Sequence, residues 1–431
     1  MTEYTHKLAR SVSIIGVGCT PFGNTSVTPA IKDLTEQELF SWAAINAVED
    51  AGIEAKDLEA LFHGQVGNVA YSQTLTPAVT YQDWVGMHGA AAIHHEEACG
   101  TGYVGFNLAV MAVASGEYDF VLTGGVELMS TKSSIKKPNH IREVPTLPFK
   151  VDSIPNILAD PSFSRFPSNI AHNAVFSYPP ADYLREYGLS WKDFDDVCNA
   201  LAIHGRRGAV RHPLAIQRKE FAELAKEAGF DSPMEYLRCD QYNPIGSMGH
   251  YRKLHGITPA DGAAAIILCP TELAHKFKQQ PIEVLGVTAA SMDTRHPRNE
   301  AKITEMVCRQ IYRDTGVKPE ELDLFLSQDL QIFDQIDSAE IAGYLPHGEG
   351  WRAALEGRTA FDGDRPINTN GGRASFGHAF AAAGLADLGE AVIQMRGQAG
   401  ERQVKKLPET AMIRGVGGGQ NATAAILRTI Q

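Results

Sequence analysis

Residues 95–116 read HEEACGTGYVGFNLAVMAVASG. After Cys99, small and apolar residues fill nearly every position through Ala114, which predicts a helix enclosed by protein on all sides. Cys99 is then expected in the first turn of that helix, where the helix dipole and unpaired backbone N–H groups favour a thiolate. A free cysteine is also a common core residue, so this stretch alone leaves a nucleophile and a buried structural cysteine both open.

The overall composition is typical of a globular enzyme. The 431 residues are 44% hydrophobic and 21% charged, which suits two cores or one large duplicated fold. The balance of 39 basic against 51 acidic residues argues against a nucleic-acid partner. No run reaches the ~18 apolar residues of a membrane span, and the N-terminus lacks the apolar core of a signal peptide. We expect a soluble, cytoplasmic protein that does not bind a membrane.

Cysteine spacing excludes two common uses of cysteine. The six cysteines show neither C-x-x-C pairs nor histidine spacing, so we expect no metal in this chain and no disulfide framework. They are Cys19, Cys99, Cys198, Cys239, Cys269 and Cys308.

One order of elements occurs twice along the chain. In the first half, apolar strands are predicted at 11–18, 58–69 and 118–126, with helices at 35–52 and after Cys99. The second half repeats strands at 281–288 and 321–327, helices at 299–315 and Ala379–Met395, and ends with strands at 410–419 and 421–428. The order β-α-β-α-β implies a parallel sheet covered by helices. We predict an N-terminal half of 1–275 and a C-terminal half of 276–431.

A segment of different texture interrupts the first half. Residues 127–250 mix Pro, Asn, Ser and Arg with short helical stretches, and the clearest helix falls within 185–208, with Ser190 as a candidate N-cap. We interpret this segment as a loop insertion. Packing the two halves together is expected to bring two helix N-termini, and with them Cys99 and His378, to a shared centre.

Five motifs in fixed order carry a family resemblance: EACGTG (97–102), TGGVELMS (123–130), PADGAAA (259–265), NTNGGRASFGH (368–378) and GVGGG (415–419). Together they resemble the thiolase superfamily, and residues 183–190 (YLREYGLS) resemble its sterol-carrier-protein-type branch. The resemblance implies an α/β class protein with a duplicated, five-layer α-β-α-β-α thiolase fold.

Roles for site residues follow from the resemblance. Cys99 matches the acyl-accepting nucleophile, His378 the histidine that takes the thiol proton, and Gly417 the backbone N–H that pairs with the Cys99 amide in an oxyanion hole. An imidazole that titrates near neutral pH suits that partnership. Without Cys99, His378 reads as a core or helix-capping histidine, and the glycine run 417–419 as a plain β-turn.

Two departures from the family pattern concern the second catalytic cysteine. The C-x-G motif of typical thiolases has Gly415 at its cysteine position, and the H-D-C-F motif of the sterol-carrier type corresponds to SQDLQIF at 327–333. Gln328 stands where related enzymes hold an oxyanion water, and a one-residue shift of the alignment selects Asp329 instead. The lost acid–base cysteine argues against simple two-carbon condensation and favours a substrate that releases a stabilised carbanion.

The remaining polar candidates have structural interpretations of equal or greater weight. His94 and His95 suit a buried loop or a subunit contact better than a metal site, and His63 suits a structural role better than a place in the pocket. The basic side chains are candidates to bind the phosphates of coenzyme A, and a solvent-exposed surface explains them at least as well. Those side chains are Arg206, Arg207, Arg211, Arg218, Lys219, Lys132, Lys136 and Lys137.

The function implied by the resemblance is thiolytic cleavage of a 3-oxoacyl-CoA through an acyl-cysteine, with coenzyme A as co-substrate. Benzoylsuccinyl-CoA, as for a benzoylsuccinyl-CoA thiolase-like subunit, and other aromatic or branched 3-oxoacyl-CoA esters are the candidate substrates. The alternatives are a condensing enzyme that delivers the acyl group to a carbon nucleophile, and a non-catalytic scaffold. The resemblance also implies a homodimer core and a small zinc-ribbon/OB-fold partner protein.

Overall fold

The computed structural model describes residues 5–68, 74–129, 180–245, 250–292, 299–418 and 421–430. The predicted insertion at 127–250 therefore falls partly outside the described residues. Three of the basic candidates, Lys132, Lys136 and Lys137, lie outside them, as does Gly419.

The described strands form one nine-stranded sheet in the order β3-β2-β4-β5-β1-β6-β9-β8-β7. The strands are β1 (Val12–Cys19), β2 (Ala60–Gly64), β3 (Ala91–His95), β4 (Val121–Glu127), β5 (Gly262–Pro270), β6 (Ile282–Ser291), β7 (Leu324–Ser327), β8 (Thr410–Gly417) and β9 (Asn421–Thr429). A short antiparallel pairing joins the five-stranded and four-stranded parts, with Val12 opposite Val284 and Ile14 opposite Ile282. The two halves thus share one sheet through the first strand of each.

The prediction of a wholly parallel sheet is wrong. β2 pairs in parallel with β3 and β4, but β5 pairs antiparallel with both β4 and β1. In the second half β7 and β8 are parallel, and β9 is antiparallel to both β8 and β6. The last strand of each half therefore lies between the first strand and the others, so β1 never hydrogen-bonds to β2.

Each predicted helix is present, and the structure adds shorter helices that the sequence pattern did not indicate. The helices are α1 (Glu36–Ala51), α2 (Pro77–Val85), α3 (Thr101–Ala114), α4 (Trp191–Val210), α5 (Phe221–Glu227), α6 (Pro233–Arg238), α7 (Thr271–Ala274), α8 (Asn299–Thr315), α9 (Asp334–Ile341), α10 (Gly350–Leu355), α11 (Gly372–Ser375) and α12 (Phe380–Met395), and residues 180–187 are also helical. Ser190 caps α4 as predicted, and its hydroxyl accepts a hydrogen bond from Asp193 N. Among the described helices, none combines the length and hydropathy that crossing a bilayer requires.

The five-stranded and four-stranded parts of the sheet alternate with helices in five layers, as the duplicated fold requires. α3 and α12 lie in the middle, where α3 packs on β2, β4, β5 and β6 and α12 on β4, β5, β7 and β8. α1 covers the outer face of β1, β4 and β5, and α8 covers β6 and β9. Because α12 is buried on nearly every side, each of its large apolar side chains, such as Leu385 and Leu388, contributes roughly 1.5–3 kcal/mol of burial free energy.

Candidate active site

Cys99 lies in a tight turn between β3 and α3. The turn is one 3₁₀ turn, Ala98–Gly100, so the thiol lies just before the α-helix and not in its first turn. Ala98 has φ 49°, a left-handed conformation that costs a non-glycine residue roughly 1–2 kcal/mol. Thr101 holds this turn, because its hydroxyl donates to Ala98 O at 2.7 Å and accepts from Glu97 N at 2.8 Å.

His378 reaches Cys99 from the second half of the chain. It lies between α11 and α12, and its backbone N–H donates to Thr258 O at 2.8 Å while its carbonyl accepts from Ala260 N at 3.2 Å. The imidazole Nε2 lies 3.3 Å from Cys99 Sγ, and Nδ1 has no hydrogen-bond partner within the described residues. The structure therefore brings these two residues, 279 positions apart, into direct contact.

The surroundings keep both members of the pair neutral. Desolvation raises the pKa of the Cys99 thiol to about 12, and the nearby Arg373 guanidinium opposes this only in part. Burial, assisted by the same guanidinium, holds the pKa of His378 well below its usual range. The expectation of a preformed thiolate is therefore wrong, because loss of solvation outweighs the helix N-terminus. A thiol and a neutral imidazole in contact can still react by general-base catalysis, with proton transfer as the bond forms.

The end of β8 lies against the Cys99 turn. Asn421 Nδ2, across the hairpin from Gly417, donates to the Glu97 carboxylate. A Cβ on Gly417 would overlap the carbonyl oxygen of Glu97, and a Cβ on Gly100 would lie 3.1 Å from Gly417 N. The backbone of the predicted oxyanion residue can approach the Cys99 turn this closely only because both positions are glycine.

The second-cysteine position at Gly415 is closed by an aromatic ring. A Cβ on Gly415 would overlap Cδ2 and Cγ of Tyr103 and would lie 2.6 Å from Thr423 Oγ1. Tyr103 projects from α3, is buried, and donates its hydroxyl to Asp387. No side chain therefore fits at Gly415, where the resemblance to thiolases predicts the position of a second cysteine.

Gln328 belongs to a buried polar network that sequence reasoning largely missed. Its Oε1 accepts from Arg373 Nε at 3.0 Å, and its Nε2 has no partner within the described residues. Arg373 also pairs with Asp387 at 2.6 Å and donates to Tyr103 Oη at 2.7 Å. The charges themselves could have indicated this pair. Arg373 and Asp387 lie in glycine-rich and apolar stretches that are expected to be buried, and a buried charge needs a partner of opposite charge.

Asp329, the alternative to Gln328, is fully engaged. Its carboxylate accepts from Arg373 N at 2.9 Å and from Gln335 Nε2 at 2.7 Å. Burial raises its pKa to about 6. Since both oxygens hold neighbouring chain segments in place, Asp329 fits a positioning role better than proton transfer.

The histidines near β3 have structural surroundings. His63 is buried, bonds to His94 through their Nδ1 atoms at 3.1 Å, and stacks on Tyr81 at 4.2 Å between ring centroids. His95 Nε2 lies 3.1 Å from Thr101 O. No group of three or more candidate ligands capable of holding a metal occurs within the described residues.

The basic run of the insertion is mostly paired within the protein. Arg207 bridges to Asp362 at 2.7 Å and Arg211 to Glu220 at 2.6 Å, while Lys219 pairs with Glu227. Arg206 lies over the Phe221 ring, 4.1 Å from its centroid. Arg218 is exposed and, among the described residues, its guanidinium bonds to backbone carbonyls only, so its charge is available to a phosphate.

Sequence profiles of known families match both ends of the chain. The thiolase N-terminal domain matches residues 12–160, and the thiolase C-terminal domain-like family matches residues 289–429. The chain belongs to the thiolase family. The prediction of this superfamily is confirmed, and the family indicates thiolase-type chemistry on acyl-CoA thioesters.

Individual thiolase relatives cover nearly the whole chain. The acetyl-CoA acetyltransferase of Methanothermobacter thermautotrophicus is 27% identical over 424 residues, 97% of this chain and 98% of that protein. The benzoylsuccinyl-CoA thiolase subunit BbsB of Thauera aromatica is 28% identical over 429 residues, 96% of this chain and 97% of that protein. Sterol carrier protein 2 of Bos taurus is 25% identical over 407 residues, 92% of this chain and 68% of that protein.

Solved structures show the same fold. A chain of the Ltp2-ChsH2(DUF35) aldolase superposes on this protein with a TM-score of 0.73 and 19% identity. The superposition includes 98% of this chain and 99% of the aldolase chain. This agreement in fold confirms the predicted duplicated α/β architecture.

Proposed function

We propose that this thiolase cleaves a 3-oxoacyl-CoA by thiolysis, with Cys99 as nucleophile and His378 as base. The observation that carries the proposal is the 3.3 Å contact between His378 Nε2 and Cys99 Sγ beside the glycine hairpin. Aromatic and branched 3-oxoacyl-CoA esters are the substrates to test first, because BbsB is among the relatives.

In the first half-reaction Cys99 Sγ bonds to the 3-oxo carbon while its proton passes to His378 Nε2. The C2–C3 bond then breaks, and its electron pair stays on C2 of the departing acyl-CoA as an enolate. The imidazolium returns the proton to C2, which leaves an acyl-Cys99 thioester and a neutral His378. The negative charge that develops on the 3-oxo oxygen is assigned to the backbone N–H groups of Cys99 and Gly417.

In the second half-reaction coenzyme A attacks the acyl-Cys99 carbonyl. Its thiol proton moves to His378, the C–Sγ bond breaks, and the imidazolium reprotonates Cys99. The products are two acyl-CoA molecules, and the enzyme returns to its starting state. A second candidate donor to the thioester oxygen is Gln328 Nε2, which has no hydrogen-bond partner in the part of the chain that the structure describes.

The closed position at Gly415 supports a substrate whose C2 carbanion is stabilised. Condensation requires a base that removes a proton from C2 of a second acyl-CoA, and Tyr103 fills the space that the missing thiol would use. Burial raises the pKa of Tyr103 well above its usual range, so its hydroxyl is not a base at neutral pH. His378 is then left to handle the proton, a role that suits a stabilised departing carbanion.

Intact-protein mass spectrometry tests the proposal. Incubation with an acyl-CoA ester should add one acyl mass, and peptide mapping should place it on Cys99. Cys99→Ser should lose the adduct, whereas Cys239→Ser, which removes another partly exposed cysteine, should keep it. An unchanged adduct in Cys99→Ser, or none on the wild type with any CoA ester, contradicts the proposal.

Retro-aldol cleavage of a 3-hydroxyacyl-CoA is the second candidate. The same closed position at Gly415 favours it, because that reaction also releases a carbanion at C2 and needs no second thiol. Similarity of fold to an aldolase adds support. The two activities separate by product: aldol cleavage releases an aldehyde or ketone without consuming coenzyme A, and thiolysis consumes one coenzyme A for each bond broken.

We also propose that two copies associate through β3. This strand lies at the end of the sheet, and its Ile93 is 44% exposed. Light scattering should give twice the mass of one chain, and Ile93→Lys should shift it toward the monomer. The small zinc-ribbon/OB-fold partner stays a proposal, to be tested by co-purification. The fold neighbour's name likewise joins two components.

A further inference from the structure

Two backbone hydrogen bonds tie Glu97 to the turn that carries Cys99. The Glu97 N–H donates to Thr101 Oγ1 at 2.8 Å, and the Glu97 carbonyl oxygen accepts from Gly100 N at 2.9 Å. Cys99 lies within this turn, so the position of its own N–H is fixed relative to Glu97. The exposed side chain of Glu97 extends from the turn and contacts Asn421.

Asn421 connects this turn to the hairpin that contains Gly417. It is the first residue of β9 and lies opposite Gly417, the last residue of β8. Its Nδ2 donates to the Glu97 carboxylate at 2.5 Å. Hydrogen bonds to an ionised carboxylate are roughly twice as strong as those between neutral groups. The bond therefore joins the segment that holds the Gly417 N–H to the turn that holds the Cys99 N–H.

The amide of Asn421 also fills the space that two glycines leave open. A Cβ on Gly417 would lie 2.7 Å from Asn421 Oδ1, and a Cβ on Gly100 would lie 3.1 Å from the same atom. Oδ1 is buried and has no hydrogen-bond partner among the described residues. Because this amide lies between the hairpin and the turn, its shape and its bond to Glu97 set how closely the two segments approach.

We propose that Asn421 and Glu97 are positioning residues for acyl transfer, because the bond between them sets the separation of the Gly417 and Cys99 N–H groups. The inference rests on the proposed acylation of Cys99. In that step the Sγ–acyl bond forms, the bond from the acyl carbon to the coenzyme A sulfur breaks, and the Cys99 proton reaches the leaving thiolate through His378. Negative charge develops on the acyl oxygen, and donors stabilise it only from about 3 Å. A misplacement of about 1 Å can slow such a reaction on the order of 100-fold.

Two variants and a control test the bond at nearly constant shape. Asn421→Asp places a second carboxylate against that of Glu97, and the two charges repel each other. Asn421→Asp combined with Glu97→Gln, the exchanged pair, swaps the amide and the carboxylate, so a donor and an acceptor face each other again. Glu117→Gln is the control, because it removes an exposed carboxylate that follows the far end of α3, a helix about 21 Å long.

Two reactions of Cys99 separate the oxyanion hole from the nucleophile. Butyryl-CoA acylates Sγ and develops charge on an oxygen, whereas iodoacetamide forms an Sγ–carbon bond, releases iodide and passes the thiol proton to His378 without such a charge. The rate of acylation divided by the rate of alkylation, both followed by intact mass, should fall at least tenfold in Asn421→Asp. The exchanged pair should recover at least threefold of that loss, and the control should match the wild type. An unchanged ratio in Asn421→Asp, or no recovery in the exchanged pair, overturns the proposal.

Hydrogen exchange separates failure of this inference from failure of the proposed function. If no CoA ester acylates wild-type Cys99, the proposed function fails, and the exchange of backbone amide protons then reports on the bond directly. Peptides that contain Gly417 should exchange at least threefold faster in Asn421→Asp than in the wild type, and the exchanged pair should restore the wild-type rate. Equal exchange in the three proteins, at unchanged melting temperature, shows that the bond does not hold the hairpin and overturns the inference.

Discussion

When the base is removed from the Cys99–His378 pair, the rate of acylation should become limited by the raised pKa of the thiol. In the wild type the imidazole takes the proton as the thioester forms, so the whole thiol population can react. In His378→Asn only preformed thiolate reacts. With the pKa of Cys99 at about 12, the thiolate fraction at pH 7.5 is about 10⁻⁴ to 10⁻⁵. We therefore expect acylation to slow by roughly 10⁴-fold, near the upper end of general-base effects.

The pH dependence makes this prediction specific. The His378→Asn rate should rise tenfold per pH unit from pH 6 to 9, because the thiolate fraction rises tenfold. The wild-type rate should stay nearly flat, since the pKa of His378 lies well below its usual range and Cys99 remains protonated. The assay is the initial rate of adduct formation with butyryl-CoA by quenched-flow mass spectrometry. A flat profile for His378→Asn refutes the reasoning, and His204→Gln, a change at a half-buried histidine that contacts Ala354 O, should match the wild type.

Three further changes test the packing and the buried charges. Gly415→Ala should cost about 3 kcal/mol in urea unfolding because its methyl group overlaps a buried tyrosine ring. Gly389→Ala, in helix α12, should gain up to about 1 kcal/mol because its methyl group makes only an ordinary contact, 3.9 Å from Val17 Cβ. Equal effects contradict the close contact at Gly415. Burial lowers the pKa of His255 to about 3. Below pH 6.5 the unfolded chain therefore binds up to one proton more than the folded chain, and the free energy of unfolding decreases as the pH is lowered. Between pH 6.5 and 5 the wild type should lose about 1.5 kcal/mol more than His255→Gln, and parallel curves would exclude a buried neutral imidazole. Ala98→Gly should raise the free energy of unfolding by up to about 1 kcal/mol by relieving the left-handed turn, and a loss of stability would show that the turn is unstrained.

The sequence located most elements because their signals are local. The spacing of apolar residues set the bounds of α1 to within a residue, and the predicted cap at Ser190 set the start of α4. The turn before α3 was harder to predict. Ala98 has a left-handed backbone in this 3₁₀ turn. Alanine usually avoids that conformation, so the residue types here do not indicate such a turn.

The candidate site was predictable as residue types and not as an environment. Cys99, His378 and Gly417 were selected by motif, and the structure places them together. The ionisation of the pair was predicted in the wrong direction. A helix N-terminus is visible in sequence, but the desolvation that outweighs it depends on every surrounding segment.

The sequence by itself determined the two α/β halves and the buried helix after Cys99, and it selected Cys99 and His378 as the candidate reactive side chains. The tertiary structure alone decided that β5 and β9 insert antiparallel, that Tyr103 closes the space over Gly415, and that Arg373 pairs with Asp387. The reason is the separation along the chain of the residues that interact. Helix and strand periodicity repeats within a few residues, whereas strand order, ring placement and buried charge pairs join residues far apart in the chain.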